Sequence, residues 1–313
     1  MAATLMRPAS ASPPGDDSPA IATFGLTRDY GGTGLFDVDL RVPRNCVYGL
    51  VGPNGAGKTT MLSIITGMRH SDRGAVEVAV PRPRVAVCPD VPEFDGWLTA
   101  FEVVDLARSF VAQERTSRDV LDALAATGLS DAASKRVGGF SRGMTQRLGL
   151  ACAMVGDPLL LILDEPTSAL DPAGRADVLA LVARLRGRCT VIFSSHILAD
   201  VQRVADHVGI LRAGRMMYQG PTRELIDTYL QPRWLLRVAG DIAAVLAAIQ
   251  AQPWVTRVQD TGGGELQIEA VSLEAGERGI PAALADCGAR QVSCEPMAAD
   301  LESAFLALTR DKP

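Results

Sequence analysis

The segment GPNGAGKTT, residues 52–60, has the residue types and spacing to bind a polyphosphate. It fits the pattern G-x-x-x-x-G-K-[ST], follows the apolar run CVYGLV and precedes an amphipathic helical stretch, which is the context that this pattern requires. Glycines let backbone N–H groups close around phosphate oxygens, and the start of a helix favours an anion. Lys58 adds a positive charge near the terminal phosphates, and the Thr59 hydroxyl can ligate Mg²⁺. This predicted phosphate loop comprises Gly52, Pro53, Asn54, Gly55, Ala56, Gly57, Lys58, Thr59 and Thr60.

An Asp-Glu pair follows a second apolar run, LLLIL at residues 159–163. Asp164 suits the shell of the Mg²⁺ held by Thr59, through a water molecule. Glu165 is then placed to orient or deprotonate an attacking water, a general-base role. Taken alone, two carboxylates after a strand are more often a solvated strand end. Their combination with the phosphate loop favours the catalytic interpretation.

A sheet must bring these segments together. CVYGLV, RVAVC, LLLIL and TVIFSS are short, almost wholly apolar and separated by helical stretches, as expected of parallel strands covered on both faces. FDVDLRV, residues 36–42, alternates apolar and polar residues and predicts a half-buried strand. Between RVAVC and LLLIL, a capping box of Thr99 and Glu102 opens one helical stretch and SRDVLDALAATGL follows. We therefore predict an α/β fold with a helical insert.

After Pro232 the pattern changes to alternating strands and helices without a chemical motif. It predicts strands at WLLRV, around the turn TGGGE and at RQVSC, and helices at DIAAVLAAIQ, at IPAALADCG (residues 280–288) and at LESAFLAL. The predicted organisation is a disordered tail at residues 1–20, the domain with the motifs at residues 21–231, and a small α+β domain at residues 232–313. The helical insert covers about residues 90–155 of the second of these.

Composition excludes several classes of protein. A net charge of -5 over 313 residues argues against a nucleic-acid partner, whose binding surface would be basic. No apolar run approaches the ~20 residues of a membrane-spanning helix, so we expect the chain not to cross a bilayer by itself. The first twenty residues lack the apolar core of a signal peptide, and the six cysteines stand singly without C-x-x-C spacing. We therefore expect a cytoplasmic protein with buried thiols rather than zinc or disulfides.

A third segment, FSRGMTQRLGLA at residues 140–151, completes a resemblance to the nucleotide-binding subunits of ATP-binding cassette (ABC) transporters, because it is similar to that family's signature motif. The likeness runs from about Ile21 to Leu230. It keeps the family order of phosphate loop, helical insert, signature, Asp-Glu strand, SALD and histidine. The resemblance implies a P-loop NTPase of the ABC type with a helical subdomain, which binds ATP and Mg²⁺. It also implies two subunits packed head to tail, each phosphate loop facing the other subunit's signature.

Individual residues match the family's functional positions. Ser141 and Gly143 of the signature are expected to contact the ATP held by the partner subunit. His196 in FSSHIL matches the switch histidine that senses the γ-phosphate, so Lys58, Glu165 and His196 form the expected catalytic set. Tyr30 fits the aromatic residue that stacks on adenine, a contact worth ~1 to 3 kcal/mol by analogy with base stacking. Residues 168–171 match the loop that crosses the dimer interface.

Two departures from the family pattern stand out. Asp90 occupies the place where the family usually has Gln. A carboxylate can serve Mg²⁺ directly or through water, but it is one carbon shorter, roughly 1.5 Å of reach, which makes Asp90 the weakest of the candidate metal ligands. We expect this change to affect coupling to the membrane partner more than hydrolysis. Arg142 and Met144 replace the commonest signature residues, and Met144 resembles the form in drug and antibiotic exporters of the daunorubicin-resistance type.

The resemblance implies an ATPase subunit that powers a permease on a separate chain, an exporter of drugs, antibiotics or other small amphipathic molecules. Such a subunit lies peripherally on the cytoplasmic face of the membrane, paired with a second ABC subunit, identical or different. The permease is expected to dock along residues 90–110, where Phe94, Trp97 and Leu98 either line the groove or form the insert's own core. The alternative is a non-transport ABC ATPase acting as a regulatory switch, although neither a second GKTT nor heptad repeats are present.

Overall fold

The computed structural model of the protein describes residues 18–111, 114–229, 232–297 and 300–310, so the predicted tail, except for residues 18–20, lies outside the described residues. The chain divides after Thr222 into two compact units. In chain order, the first unit contains β1 (Ile21–Asp29), β2 (Gly34–Val42), β3 (Val47–Val51), α1 (Lys58–Ile65), β4 (Arg73–Val78), β5 (Val85–Cys88), α2 (Ala100–Val111), α3 (Ser117–Ala126), α4 (Arg142–Met154), β6 (Leu160–Leu163), α5 (Pro172–Arg184), β7 (Thr190–Ser195), α6 (Leu198–Val204), β8 (His207–Arg212) and β9 (Arg215–Pro221).

The first unit has a six-stranded sheet in the order β5-β6-β7-β3-β8-β9. Its first five strands pair in parallel, and β9 is antiparallel to β8. Strands β3, β6 and β7 are buried along their whole length, because helices and further strands cover both faces of a parallel sheet. These are three of the apolar runs predicted to be parallel strands, so that prediction is confirmed.

A smaller antiparallel sheet, ordered β2-β1-β4, completes the α/β part of this unit. On β2, Val38, Leu40 and Val42 are buried and the residues between them are exposed. The period-two prediction is therefore correct. These side chains share one apolar core with β1, β3 and α1, which holds the start of α1 firmly against the sheet.

Helices α2, α3 and α4 form the helical insert between β5 and β6, with an apolar core of its own. The predicted capping box is present: the Thr99 N–H donates to the Glu102 carboxylate (2.8 Å) and the Glu102 N–H to the Thr99 hydroxyl (3.2 Å). Phe94 and Leu98 pack against this core, whereas the Trp97 side chain is 68% exposed. Two of the three residues considered for a docking groove thus contribute to the insert's core.

The second unit begins with α7 (Thr222–Tyr229) at the boundary and continues with β10 (Arg233–Ala239), α8 (Ile242–Gln250), β11 (Val255–Gly262), β12 (Glu265–Ala270), α9 (Leu273–Asp286), β13 (Arg290–Met297) and α10 (Leu301–Arg310). Its antiparallel sheet has the order β11-β12-β10-β13, which with its two crossover helices is the β-α-β-β-α-β arrangement of ferredoxin-like folds. Trp234, Leu236 and Val238 of β10 face a core shared with α8 and α9.

Helix α9 begins at Leu273, seven positions before the start at Ile280 that the sequence pattern predicts. Gly276 and Gly279 read as helix breakers, but both are inside the helix. A side chain at Gly276 would overlap the Trp234 ring, and one at Gly279 would overlap the Trp254 ring. Both glycines therefore serve packing of the indole rings, which local propensity does not register.

Within the described ranges, no helix has both the length and the apolar character needed to cross a membrane. All six cysteines are free thiols. Burial raises the pKa of Cys46, Cys88 and Cys152 to about 12.

Candidate active site

Four neighbouring parallel strands, β5, β6, β7 and β3, end at the same edge of the large sheet. The chain segments that follow them carry Asp90, Glu165, His196 and the phosphate loop, respectively. Side chains that follow parallel strands converge on the edge where those strands end. This topology explains how residues far apart in sequence come to share one cleft.

The phosphate loop connects β3 to α1 through two glycines in left-handed conformations, Gly55 (φ 80°) and Gly57 (φ 103°). Only glycine adopts such angles without strain. Gly57 is the N-cap of α1 and has no side chain to cap it. The first N–H groups of the helix have no intrahelical partners, so a bound anion can accept hydrogen bonds from them.

Lys58 is buried beneath this loop, with its side chain only 6% exposed. Its ammonium group donates to the Gly52 carbonyl (2.8 Å) and the Pro53 carbonyl (3.4 Å). It also lies 3.2 Å from the Glu165 carboxylate. A buried ammonium ion needs such partners, because desolvation without them is costly. The contacts hold the positive charge at the floor of the cleft.

The Glu165 carboxylate lies between two basic groups, because its second oxygen is 2.8 Å from His196 Nδ1. Glu165 has a positive φ of 46°, a conformation that side-chain-bearing residues rarely adopt. Its backbone N–H donates to the Ser194 hydroxyl (2.8 Å), which anchors this turn. A strained backbone held by specific contacts is typical of functional positions. The arrangement fixes one carboxylate at the cleft, next to a cation and an imidazole.

Asp164 is buried beside Glu165 and accepts a 2.6 Å hydrogen bond from the same Ser194 hydroxyl. Ser194 therefore orders both carboxylate-bearing residues, although sequence reasoning did not identify it. It lies in the apolar strand β7, and the signal that could have found it is a polar residue at the end of a buried strand. Its role depends on the pairing of β6 with β7, which the sequence motif does not contain.

The cleft formed at this edge has a volume of about 680 Å³, within the range of small-molecule sites. The residues lining it are Tyr30, Thr33, Gly34, Asn54, Gly55, Ala56, Gly57, Lys58, Thr59, Thr60, Asp90, Glu165, Ser168 and His196. Most of the predicted nucleotide-binding set is therefore brought together. Thr33, Gly34 and Ser168 were not predicted to contact the nucleotide.

Five predicted site residues are not among the lining residues of this cleft. Gly52 and Pro53 contribute carbonyl groups to Lys58, and Asp164 is held by Ser194. Ser141 is exposed at the N-cap of α4, where its hydroxyl accepts from the Met144 N–H (3.3 Å). Gly143 follows in the first turn of α4.

Tyr30 stands at the mouth of the cleft with its side chain 41% exposed. The Arg28 guanidinium lies over its ring, 4.9 Å from the ring centre, and Arg69 donates to its hydroxyl (3.0 Å). Hydrogen bonding to Arg28 and then to Arg69 lowers the pKa of Tyr30 below its ordinary value. Arg28 is itself held by Asp72 at 2.6 Å. The ring thus has a defined position from which one face can receive a planar group.

Asp90 directs one carboxylate oxygen to a side chain, not into open solvent. It accepts a 2.8 Å hydrogen bond from the hydroxyl of Ser168, in the loop that follows β6. Thr59, the other predicted metal ligand on the cleft surface, lies exposed in the first turn of α1. Its hydroxyl is the kind of oxygen ligand that Mg²⁺ accepts, and a divalent cation also fits the acidic pair next to it.

Comparison with known proteins yields consistent similarities. Residues 35–168 match a family model described as ABC transporter. The chain is 34% identical over 257 residues to an uncharacterized ABC transporter ATP-binding protein, YxlF, of Bacillus subtilis (strain 168), covering 80% of this chain and 85% of that protein. It is 31% identical over 313 residues to the daunorubicin resistance ATP-binding protein DrrA3 of Streptomyces coeruleorubidus, covering 93% and 96% of the two chains.

Solved structures show the same similarity. The structure of an ATP-binding subunit of an ABC transporter superposes with a TM-score of 0.62 at 28% sequence identity, covering 67% of this chain and 93% of the other. The matched portion thus accounts for nearly all of that subunit, and a third of the present chain lies beyond it.

Proposed function

The chain belongs to the ATP-binding subunits of ABC transporters and is the ATPase of a transporter, and from this premise we propose the residues and partners with which it works. Glu165 is the general base, and the phosphate loop binds the triphosphate of ATP. The energy of hydrolysis drives export through a permease on a separate chain. The observation that carries the proposal is the Glu165 carboxylate, fixed in the cleft between Lys58 (3.2 Å) and His196 (2.8 Å).

Each group of the cleft has a physical task in this reaction. The N–H groups at the start of α1 and the Lys58 ammonium stabilise negative charge on the phosphate oxygens. Glu165 orients the attacking water and accepts its proton. His196 holds that carboxylate through Nδ1, and its second ring nitrogen remains for a contact with the phosphate. The Tyr30 ring stacks on the adenine.

A magnesium ion fits the oxygen groups next to the phosphate loop. Thr59 would hold the ion directly and Asp164 would hold it through water, because Ser194 already holds that carboxylate beneath the cleft surface. When bound, the ion withdraws charge from the phosphate oxygens. Asp90 is the third candidate, and its hydrogen bond with Ser168 occupies one of its two oxygens.

Ser141 and Gly143 act on the nucleotide of a second ABC subunit. Their position supports this, because both lie outside the lining of the chain's own cleft, and the Ser141 side chain is exposed at the start of α4. The N-terminus of α4 presents the same anion-favouring backbone groups as α1. A second subunit in head-to-tail packing would bring such a helix to each phosphate loop.

The partner in the membrane is an integral permease, with this chain bound peripherally at the cytoplasmic face. The exposed Trp97 of the helical insert offers it an apolar contact. Similarity to the daunorubicin resistance protein over 93% of this chain supports an exporter of drugs, antibiotics or other amphipathic molecules.

Residues 21–231 would form the ATPase domain, with its helical subdomain at about 90–155, and residues 232–313 would form a separate domain. A regulatory switch outside transport, and a nucleic-acid partner, are not favoured, because the relatives described above are transporter ATP-binding proteins.

The decisive experiment is Glu165→Gln in the full chain. The amide keeps the size of the side chain but cannot take a proton, so we expect turnover to fall by about 10²- to 10⁴-fold while ATP affinity is retained. Loss of turnover should be measured beside binding of a fluorescent ATP analogue. Turnover within about threefold of wild type would reject Glu165 as the base.

Dimerisation is tested separately with Ser141→Arg. A large cation at the exposed start of α4 should block hydrolysis in a homodimer and leave ATP binding to the monomer unchanged. Arg142→Ala, an exposed neighbour, serves as the matched surface variant. If the chain pairs with a different ABC subunit, the equivalent signature residue of that subunit must be replaced as well. Unchanged turnover of a Ser141→Arg homodimer would show that the signature does not act across subunits.

A further inference from the structure

Asp90 lies where the cleft, the chain leading into the helical insert and the loop after β6 meet. Its carboxylate accepts the 2.8 Å hydrogen bond from the Ser168 hydroxyl. We propose that Asp90 is a positioning residue, which holds the loop carrying Glu165 through Ser168 instead of ligating the metal. This inference rests on the proposed function, because it assigns a task within the same site.

The loop that Asp90 holds is short and continuous with Glu165. The Ser168 N–H donates to the Glu165 carbonyl (3.1 Å), so the two residues close one tight turn. Glu165 has the positive φ described above and depends on its surroundings to keep it. A displacement of Ser168 is therefore transmitted directly to the backbone that bears the catalytic carboxylate.

Two other side-chain contacts hold this turn from the α/β core. Ser194 of β7 accepts the Glu165 N–H, and the Thr167 hydroxyl donates to Asp200 of α6 (2.8 Å). Both partners belong to elements that follow the turn in sequence. Asp90 differs, because it precedes α2 and lies in the segment that connects the core to the helical insert. It joins the turn to the part of the unit that carries α4.

Helix α4 contacts the same segment from the other side. Gln146 is buried, and its amide donates to the Pro89 carbonyl (3.4 Å). Gly143 packs beside Leu170, where an added Cβ would lie 3.2 Å from the leucine side chain. These contacts hold the Asp90 segment and the loop after β6 against α4, which supports a fixed geometry for the Asp90–Ser168 bond.

A carboxylate suits this position because a hydroxyl donating to a charged acceptor forms a hydrogen bond roughly twice as strong as one between neutral groups. The same bond engages Oδ1, the oxygen that faces the loop. The chemistry therefore favours a fixed polar link over a ligand free to turn toward a cation.

The test is a double-mutant cycle in the full chain, with Asp90→Ala, Ser168→Ala and the double variant, and Asp90→Asn as the conservative change. For each variant, kcat, KM for ATP, the Mg²⁺ concentration for half-maximal turnover and the affinity for a fluorescent ATP analogue are measured. Asp131→Ala and Ser134→Ala, exposed residues of the insert, are the matched controls. Thermal unfolding establishes that each variant is folded.

We expect both single alanine variants to lower kcat by about tenfold, as for loss of a hydrogen bond to a charged group. The double variant should be no slower than either single one, because each removes the same contact. KM, nucleotide affinity and the Mg²⁺ requirement should stay within about twofold of wild type. Asp90→Asn retains an acceptor oxygen but not the charge, so it should recover part of the lost kcat.

Two outcomes would overturn the inference. Effects that multiply in the double variant, to about a hundredfold, would show that Asp90 and Ser168 act independently. A higher Mg²⁺ requirement in the Asp90 variants, absent from Ser168→Ala, would show that Asp90 serves the metal. Failure of the proposed function is distinguishable from both, because wild type and Glu165→Gln would then turn over ATP equally.

Discussion

In the first unit, Lys58 and Glu165 meet because β3 and β6, which lie on either side of β7 in a parallel sheet, end at the same edge, and the loops after them place the side chains at a common cleft. In the second unit, Arg233 and Glu269 are register partners on neighbouring antiparallel strands and form a 2.9 Å ion pair across the sheet face. Arg237 and Glu265 repeat this arrangement.

The difference lies in what holds each pair. The second unit's pairs follow from strand register alone and sit on ordinary extended backbone, which is the usual way for a sheet face to balance its charges. The pair in the cleft needs glycines at positive φ, a strained Glu165 and the buried Ser194 hydroxyl. Backbone strain and a buried supporting hydroxyl therefore distinguish the Lys58–Glu165 pair, at a site that acts on a ligand, from ion pairs that only balance charge on a sheet face.

Replacing the cation of an ion pair in each unit should give the largest difference between the two units. Lys58→Ala should lower kcat/KM by about a thousandfold, because it removes a preorganised charge and leaves Glu165 without one of its two basic partners. Arg233→Ala, which removes the cation of the second unit's pair, should leave ATPase kinetics unchanged. Steady-state turnover of both variants checks this, and equal losses in the two would abolish the distinction between the pairs.

The support beneath the site is tested by Ser194→Ala. The change leaves the Glu165 N–H and the Asp164 carboxylate without their hydroxyl partner, so we expect about a tenfold lower kcat and about 1 to 3 kcal/mol less free energy of unfolding. Thr190→Val is the matched control, because Thr190 is a buried residue at the other end of β7 whose hydroxyl accepts from the Asn45 N–H. It should lose stability but not turnover. If both variants kept wild-type kcat, Ser194 would be structural only.

Removing the carboxylate of the Arg233–Glu269 pair should have a smaller effect. Glu269→Gln keeps the shape of a side chain that is 15% exposed and loses one ion pair. The expected change in the free energy of unfolding is about 1 kcal/mol, with no change in ATPase rate. Urea unfolding measures it, and a large loss of turnover would mean that this sheet face contributes to catalysis.

The smallest effect is expected when only the hydroxyl of Tyr30 is removed. Tyr30→Phe keeps the ring, so ATP affinity should change by no more than about twofold, whereas Tyr30→Ala should lose ~1 to 3 kcal/mol of binding. The hydroxyl has a separate signature in pH titration. Because the folded-state pKa of Tyr30 lies below 10.0, its stabilising contribution is complete above pH 10.0 and is lost as pH falls through the lowered value.

Ultraviolet titration of wild type and Tyr30→Phe isolates this group. The absorbance difference between the two proteins reports the ionisation of Tyr30. We expect this ionisation at lower pH in the folded protein than in urea, and we expect Arg28→Gln to shift the pKa of Tyr30 back toward its ordinary value. Burial raises the pKa of Tyr48 in the same unit, so that residue does not interfere. A Tyr30 component that titrates at or above the value in urea would contradict the described arginine contacts.

The sequence predicts the large sheet, the phosphate loop and the Asp-Glu pair well, because these depend on local patterns: apolar runs, glycine spacing and charged strand ends. It does not predict the contacts that organise them. Ser194 and Asp164 meet only because β6 pairs with β7 in a particular register, and Asp90 reaches Ser168 through the fold.

The start of helix α9 is predicted wrongly from the sequence. Gly276 and Gly279 lower the local helix propensity, and the sequence pattern places the helix start after them. Packing against Trp234 and Trp254 outweighs that propensity, since each indole ring occupies the space that a side chain would take. Tertiary contacts of this kind lie outside any local pattern.

The positions of the tryptophans determine which part of the chain its intrinsic fluorescence reports on. Of the three tryptophans, Trp234 is buried and Trp254 half-buried in the second unit, while Trp97 lies exposed on the insert. None of them lines the nucleotide cleft. Replacing Trp97 with Phe would leave an emission signal that belongs to the second unit alone, so its melting could be followed by spectroscopy while nucleotide binding is recorded with an extrinsic dye.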